Sequence, residues 1–230
     1  SEKIAVHWFR QDLRIKDNPS LEAASKFDSF IPIYILDDTN SGEFKMGSAS
    51  RWWLYNSLNK LNESLGGSLR LFKGDPCEIL PKLIEDYSVS NVFWNRCYEP
   101  WRIDRDKKIK NELETNNIIV ESFCGSLLWE PWNISKDDGT PYRVFTPYYK
   151  KGCLNASEPR LPISEPSLEN ISKKDNVSDN LESLDLLPKS NWYAGFEEEW
   201  NPGEKGAEQN LEEFLEHGLL NYKEGRNFPS

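Results

Sequence analysis

The chain has 230 residues, of which 37% are hydrophobic and 13% aromatic, and it carries a net charge of −10 at pH 7. This composition supports a globular core, and no apolar run approaches the roughly 20 residues that a membrane-spanning helix requires. The acidity is uneven, because residues 1–154 carry 21 basic and 22 acidic side chains whereas residues 155–230 carry 7 and 16. A free-standing nucleic-acid-binding protein would carry a basic surface. The composition argues against that class and predicts a soluble, cytoplasmic protein.

The first half of the chain alternates short apolar runs with amphipathic segments. Runs typical of buried strands occupy residues 3–9, 30–38, 68–74, 90–96 and 117–123. Helical patterns that start with capping residues or proline lie between them, at residues 18–27, 48–65, 75–87 and 100–115. This alternation predicts an α/β fold over residues 1–130, with a doubly wound five-stranded parallel sheet of the Rossmann-like or flavodoxin-like kind.

The second part of the chain has a different character. Residues 131–192 are first aromatic-rich and then rich in Pro, Ser and Asn, which predicts an interdomain segment and a linker on the surface. Residues 193–230 include a convincing helix at 203–218. Its apolar side, with Leu211 and Phe214, needs a partner to cover it. We therefore expect residues 193–230 to be the truncated start of a second, helical domain.

Motifs for common catalytic and metal sites are missing from the sequence. There is no Gly-rich phosphate-binding motif of the two usual kinds and no Ser or Cys nucleophile motif. The chain has only 2 His and 4 Cys, and no Cys pair has metal-type spacing. We predict no metal site and no catalytic residue, and we expect the four cysteines to be reduced thiols.

The loops that follow the predicted strands are the candidate binding site, because ligands of doubly wound sheets bind outside the carboxyl ends of the strands. The stretch RCYEPWR, residues 96–102, combines aromatic rings, a carboxylate and guanidinium groups. This set suits a flat, polar heteroaromatic ligand that stacks on Tyr98 or Trp101 and hydrogen-bonds to Glu99 and Arg51. With the strand-end charges, the candidate residues are Arg10, Asp12, Asp37, Arg51, Tyr98, Glu99 and Trp101. Four further tryptophans are expected in the core, namely Trp8, Trp53, Trp94 and Trp129.

Several stretches resemble one known family. The string HWFRQDLRIKDNPSLEAA resembles the N-terminal signature of the photolyase/cryptochrome family. Further resemblances follow in the family's order, in GSASRWWLYNSLNKL, LFKGDPCEILPKL, NVFWNRCYEPWRIDRD, PYRVFTPYYKK and WNPGEKGAEQNLEEFLEHGLLNYKEGRNFP. The resemblance covers essentially the whole chain and is to class I-like deoxyribodipyrimidine photolyases.

This resemblance implies a role for each part of the chain. Residues 1–130 would be the light-harvesting antenna domain, and residues 193–230 the start of the FAD-binding domain. Tyr222 matches a tyrosine that begins the family's FAD pocket, and Arg226 matches an arginine on its DNA-facing side. The parent protein would repair cyclobutane pyrimidine dimers in damaged DNA by light-driven electron transfer from FAD. Because the rest of the FAD domain lies outside these 230 residues, we expect this chain to be inactive in repair alone.

The resemblance leaves alternatives open. The antenna chromophore is methenyltetrahydrofolate or deazaflavin, with a flavin as a third choice. Glu99-Pro100 resembles the deazaflavin-binding members, whereas some folate-binding members have Asn-Glu where this chain has Trp101 and Arg102. A cryptochrome, which signals light instead of repairing DNA, shares this region, and a stand-alone α/β binding module is a further alternative. In every case we expect a monomer.

Overall fold

The computed structural model describes residues 2–42, 45–173, 175 and 179–227. Five strands form one parallel sheet in the order β3-β2-β1-β4-β5. The strands are β1 (Ile4–Phe9), β2 (Ser29–Leu36), β3 (Arg70–Lys73), β4 (Asn91–Asn95) and β5 (Ile119–Phe123). The predicted five-stranded parallel sheet is therefore confirmed.

Helices connect the strands and follow the sheet. Those of the α/β part are α1 (Pro19–Ala24), α2 (Ser48–Ser64), α3 (Pro76–Tyr87) and α4 (Pro100–Thr115). The later ones are α5 (Phe145–Pro147), which continues as a π-helix over Tyr148–Gly152, α6 (Ala194–Glu199), α7 (Glu204–Glu213), which continues as a π-helix over Phe214–Gly218, and α8 (Tyr222–Gly225). None of the helices in the described residues is long and apolar enough to cross a membrane.

Two apolar cores cover the two faces of the sheet. On one face, Phe9 and Phe30 pack with the Leu residues of α2, including Leu58, and with α1. On the other face, Val6 and Trp8 pack with residues of α3 and α4. Layers of helix on both sides of a parallel sheet are the arrangement expected for near-continuous apolar strands.

Local capping explains where two of the helices start. The side chain of Asn18 accepts a hydrogen bond from the backbone N–H of Leu21, and Pro19 occupies the first helical position of α1. Asp75 caps α3 in the same way, by accepting from the N–H of Cys77. Both caps were predicted from the sequence, because a polar cap followed by proline marks a helix N-terminus.

The order of the strands locates the place where a ligand can bind. β1 lies in the centre, pairing with β2 on one side and with β4 on the other. The chain runs from β1 through β2 to β3 at one edge, then returns to β4 beside β1 and continues to β5 at the other edge. The strand order therefore reverses between β1 and β4. At such a reversal the loops after the two strands separate and leave a crevice at the carboxyl ends.

The segment after β5 follows the surface of the α/β part and touches the sheet. The N–H of Ser172 donates to the carbonyl of Phe30, and the N–H of Asp179 donates to that of Leu71, both at 2.8 Å. Leu184 is fully buried against the core. The proposed boundaries at residues 130 and 192 remain predictions.

One expectation about the tryptophans is wrong. Trp8 and Trp94 are buried as predicted, but Trp53 is 40% exposed and its neighbour Trp52 is buried instead. The helical phase of α2 causes this difference, because consecutive residues on a helix point about 100° apart. Trp53 instead contacts the ring of Trp200 at 5.7 Å between centroids.

One further tryptophan also differs from expectation. Trp129 is only half-buried, and its indole N–H donates to the carbonyl of Ser157 at 2.7 Å. On α7 and its extension, Leu211 and Leu215 remain more than half exposed within the described residues. Much of the predicted apolar side of this helix is therefore uncovered within the described residues, in agreement with the expectation that it needs a further partner.

Candidate functional site

The crevice at the carboxyl ends of the strands is a cavity of about 600 Å³. This volume lies in the range of small-molecule sites in proteins. The cavity is bounded by the ends of β1 and β2, the loop after β1, one side of α2, and the first turns of α4 and α7. The aromatic and charged residues that line it are Trp8, Arg10, Arg14, Tyr34, Asp37, Trp53, Trp101, Arg102, Arg105 and Glu204.

A buried carboxylate organises the loop after β1. Asp12 accepts hydrogen bonds from the backbone N–H of Arg10 at 2.9 Å, from Nδ2 of Asn18 at 3.0 Å and from Nδ2 of Asn95 at 2.6 Å. Asn95 also donates to Oδ1 of Asn18 at 2.8 Å, so one network links the ends of β1 and β4 with the cap of α1. We call Asp12, Asn18 and Asn95 the loop network. It fixes the loop from which Arg10 enters the crevice.

Gly125 lets the loop network pack closely against the segment after β5. A Cβ atom at this position would lie 2.7 Å from Oδ1 of Asn95. Real Cβ atoms do not approach other atoms this closely, so any larger residue would displace Asn95 or the backbone. The carbonyl of Gly125 also accepts a hydrogen bond from the guanidinium of Arg14. Gly125 therefore helps to hold Asn95 and Arg14 in place beside the crevice.

A chain of alternating charges crosses the floor of the crevice. The guanidinium of Arg10 pairs with Asp106, and Asp106 accepts from Arg105 at 3.1 Å. Arg105 in turn pairs with Asp37 through a 2.9 Å contact between Nη1 and Oδ2. These four side chains are almost completely buried, and buried charges are tolerated only when they are paired and hydrogen-bonded. We call them the floor chain.

Aromatic rings lie next to these guanidinium groups. The guanidinium carbon of Arg10 lies 4.5 Å from the ring centroid of Trp8, and that of Arg105 lies 5.1 Å from the rings of Trp8 and Trp101. Arg102 lies 4.8 Å from the Trp101 ring. Such cation–π contacts hold the planar groups in fixed orientations. The crevice therefore offers flat ring surfaces beside guanidinium groups of fixed orientation.

Burial perturbs two titratable groups of this region. Burial lowers the pKa of His7 to about 4 although the nearby carboxylate of Asp12 acts in the opposite direction, so the ring is neutral near pH 7. Its Nδ1 lies 2.8 Å from the hydroxyl oxygen of Ser20. Burial also raises the pKa of Tyr34, which lines the cavity, to about 12. Tyr34 is therefore a neutral phenol, able to donate or accept a hydrogen bond.

Three of the seven candidate residues line the cavity. Arg10 and Asp37 contribute charge, and Trp101, half-buried in the first turn of α4, contributes a ring. Asp12 does not line the cavity but belongs to the loop network. Of the seven predicted binding residues, Arg10, Asp37 and Trp101 are thus the ones that line the cavity.

The other three candidates are engaged elsewhere. Arg51 donates to both carboxylate oxygens of Asp38 at 3.0 Å. Glu99 precedes α4, and its carboxylate accepts from Nε2 of Gln11 at 2.7 Å. The hydroxyl of Tyr98 faces Glu130 and Cys124, and burial, together with these neighbours, raises its pKa. None of Arg51, Tyr98 and Glu99 lines the crevice.

Sequence reasoning missed several cavity residues. Arg105 follows Trp101 by four residues and follows Arg102 by three, and residues at these spacings are neighbours on a helix surface, a signal present in the sequence. Trp8 was expected only as a core residue, although its indole also borders the cavity. Glu204 could not be found by local pattern, because 189 residues separate it from Ile15, its partner across the crevice.

The expected FAD and DNA residues do not line this crevice. Tyr222 is 53% exposed on α8, where its ring lies 5.9 Å from that of Phe214 between centroids. Arg226 is exposed one turn further on. The described residues thus do not form a pocket that fits FAD around Tyr222. They also contain no cluster of three or more His, Cys, Asp or Glu that could hold a metal ion.

The strand order and the crevice at its reversal define a Rossmann-like α/β domain, and in such folds this crevice is the place where ligands bind. The family model for DNA photolyase matches residues 5–167, and the chain therefore belongs to the DNA photolyase family. This finding confirms the family resemblance of the sequence motifs.

Individual relatives agree with this assignment. The chain is 39% identical to the deoxyribodipyrimidine photo-lyase of Agrobacterium fabrum, over 98% of its own length and 47% of that protein. It is 34% identical to cryptochrome-2 of Arabidopsis thaliana, over 96% of its length and 37% of that protein. The crystal structure of a bacterial class III photolyase from Agrobacterium tumefaciens matches with a TM-score of 0.88 and 37% identity, over 100% of this chain and 48% of that one. The chain thus spans less than half the length of these relatives.

Proposed function

We propose that this chain is the light-harvesting part of a deoxyribodipyrimidine photolyase and that the crevice holds its antenna chromophore. The observation that carries the proposal is the 600 Å³ crevice at the strand reversal, with aromatic rings and fixed arginines around it. The relationship to a photo-lyase at 39% identity over 98% of the chain supports the same reading.

The residues around the crevice suit a flat chromophore with an electron-rich or anionic edge. The rings of Trp101 and Tyr34 offer stacking surfaces, and the guanidinium groups of Arg10, Arg102 and Arg105 offer N–H donors. Asp12, Arg51, Tyr98 and Glu99 act behind this surface by fixing the loops. A bound antenna supplies absorption of light and transfer of the excitation energy. Methenyltetrahydrofolate, deazaflavin and a flavin all remain candidates.

We also propose that the longer parent protein repairs cyclobutane pyrimidine dimers in damaged DNA with FAD, as a cytoplasmic monomer. The repair role is supported by the photo-lyase of Agrobacterium fabrum, which aligns along almost the whole chain. Tyr222 and Arg226 would contribute to the FAD and DNA sites of that parent. Because Tyr222 is 53% exposed and does not line the crevice, we propose that the 230-residue chain alone carries out no repair.

A cryptochrome is the second candidate, favoured by 34% identity to cryptochrome-2 over 96% of the chain. The two candidates share the crevice and differ in what the longer protein does. Illumination of the longer protein with a dimer-containing oligonucleotide separates them, because a photolyase restores the pyrimidines and a photoreceptor leaves the dimer intact.

The antenna proposal is tested by titrating the chain with methenyltetrahydrofolate, 8-hydroxy-5-deazaflavin and FMN in separate experiments followed by absorbance. We expect one of them to bind, and Trp101→Ala to weaken that binding about tenfold, the loss expected for one stacked ring. The matched control is Trp132→Ala, because Trp132 is 63% exposed and lies outside the crevice. Wild-type affinity in Trp101→Ala, or no binding of any of the three, contradicts the proposal.

A further inference from the structure

The N-terminal turn of α7 forms one side of the crevice, although it belongs to a different part of the chain from the sheet. Gly203, Glu204 and Ala207 line the cavity opposite the loop after β1. The crevice therefore lies between the α/β part and the first turn of α7. The contacts that hold these two segments together also determine how the cavity opens.

Glu204 makes the closest connection across this joint. Its Oε2 accepts from the backbone N–H of Ile15 at 3.0 Å, and its Oε1 accepts from the N–H of Lys16 at 3.0 Å. Hydrogen bonds to an ionised carboxylate are about twice as strong as those between neutral groups. Both amides belong to the same loop that carries Arg10 and Arg14 into the crevice, so Glu204 ties α7 directly to the opposite side.

An outer ion pair reinforces this connection. The ammonium of Lys16 lies 2.6 Å from Oε1 of Glu208, one turn further along α7. Hydrogen bonding to Glu208 raises the pKa of Lys16, so the lysine is fully charged near pH 7. Both side chains are about half exposed, and exposed ion pairs contribute little to stability. The main connection is thus the double hydrogen bond of Glu204.

The backbone before α7 allows this close approach. Gly203 has φ +96°, a conformation that L side chains rarely adopt, and a Cβ there would lie 2.9 Å from Cβ of Lys60 on α2. Gly206 is packed against the carbonyl of Asn201 with no room for a side chain. The glycines let the first turn of α7 sit against α2 while Glu204 reaches the loop.

We infer that Glu204 is a positioning residue that holds α7 shut over the crevice and so controls the release of the bound chromophore. This inference rests on the proposed function for the nature of the ligand, but the connection itself does not depend on it. A ligand in the cavity contacts α7 and the loop together, and by thermodynamic linkage it must strengthen the docking of α7 as much as that docking strengthens its binding.

The test uses Glu204→Gln in the whole chain, with Glu212→Gln as the matched control, because Glu212 is exposed near the other end of α7. The glutamine removes the charge and one of the two acceptor oxygens while keeping the shape. Hydrogen exchange is measured at the amides of Ile15 and Lys16, and the dissociation rate is measured for whichever of methenyltetrahydrofolate, 8-hydroxy-5-deazaflavin or FMN binds the wild type.

We expect both exchange at the two amides and chromophore dissociation to become about tenfold faster in Glu204→Gln, as loss of a charge-assisted hydrogen bond implies. Exchange in β1 and β4 and the melting temperature should match those of Glu212→Gln. Unchanged exchange at both amides overturns the inference, as does faster exchange spread over the whole sheet, which indicates general destabilisation.

The two proposals can fail separately. If no chromophore binds the wild type, the antenna proposal fails and the exchange of the two amides alone decides whether Glu204 holds α7. If a chromophore binds but leaves Glu204→Gln at the wild-type rate, the antenna proposal stands and control of release by Glu204 is refuted.

Discussion

Replacement of Asp12 by alanine tests whether the loop network holds the crevice together. The carboxylate is 4% exposed and accepts three hydrogen bonds, from Arg10, Asn18 and Asn95. After the substitution, Nδ2 of Asn18 can still donate to the carbonyl of Arg14, and Nδ2 of Asn95 can still donate to Oδ1 of Asn18. Only the backbone N–H of Arg10 loses its acceptor without a replacement.

The expected change in the free energy of unfolding follows from the hydrogen bonds that are lost and those that remain. Hydrogen bonds to charged groups contribute about 1.5–3 kcal/mol each, but three such losses are not additive within one network. Removal of the buried charge also relieves its desolvation. We expect Asp12→Ala to lower the free energy of unfolding by about 3 kcal/mol, and Asp12→Asn, which keeps one acceptor oxygen, by about half as much.

Urea denaturation followed by tryptophan fluorescence measures this change, because Trp8 and Trp94 are buried beside the network. The control is Asp137→Ala at an exposed turn, for which we expect a change within about 0.5 kcal/mol. A loss below about 1 kcal/mol in Asp12→Ala would refute the reasoning that this carboxylate organises the loop.

Three other perturbations follow from the same structure. Because burial lowers the pKa of His7 from 6.5 to about 4, the unfolded chain binds a proton more readily, and stability present at neutral pH should be lost as the pH falls from 6.5 toward 4. Across this range the free energy of unfolding should fall by up to about 3 kcal/mol more in the wild type than in His7→Asn. The same dependence of unfolding free energy on pH in both proteins would contradict the effect. Gly125→Ala should destabilise the chain by about 1–3 kcal/mol through collision with Asn95, and a wild-type denaturation midpoint would argue against that packing. Asp75→Ala should cost about 1 kcal/mol by uncapping α3, with Asp137→Ala again as the comparison, and equal stability of the two variants would exclude the cap.

The fold could be predicted because its determinants are local. Each strand is a short apolar run, and the cap residues Asn18 and Asp75 mark helix starts without reference to the rest of the chain. The position of the crevice also follows from topology, since the strand order reverses between β1 and β4. The loops that the sequence indicates as the candidate site do border this crevice.

The side chains that face the crevice were harder to predict, because loop conformation and competing partners decide their direction. The carboxylate of Glu99 accepts a hydrogen bond from Gln11, and the guanidinium of Arg51 donates to Asp38. Neither side chain lines the cavity. The choice between Trp52 and Trp53 depends on the phase of α2, which a pair of adjacent identical residues cannot reveal. Glu204 reaches the site across 189 residues of sequence, a distance at which no periodicity gives a signal.

The central claim is that the crevice at the strand reversal holds the antenna chromophore, and filling that crevice tests it most directly. Ala207 lines the cavity from α7, and Ala207→Trp would place an indole in the space that the chromophore requires. In absorbance titrations with the chromophore that binds the wild type, we predict that Ala207→Trp weakens binding at least about tenfold while the melting temperature stays near that of the wild type. Binding of that chromophore to Ala207→Trp with wild-type affinity would contradict the claim and assign the chromophore to another surface.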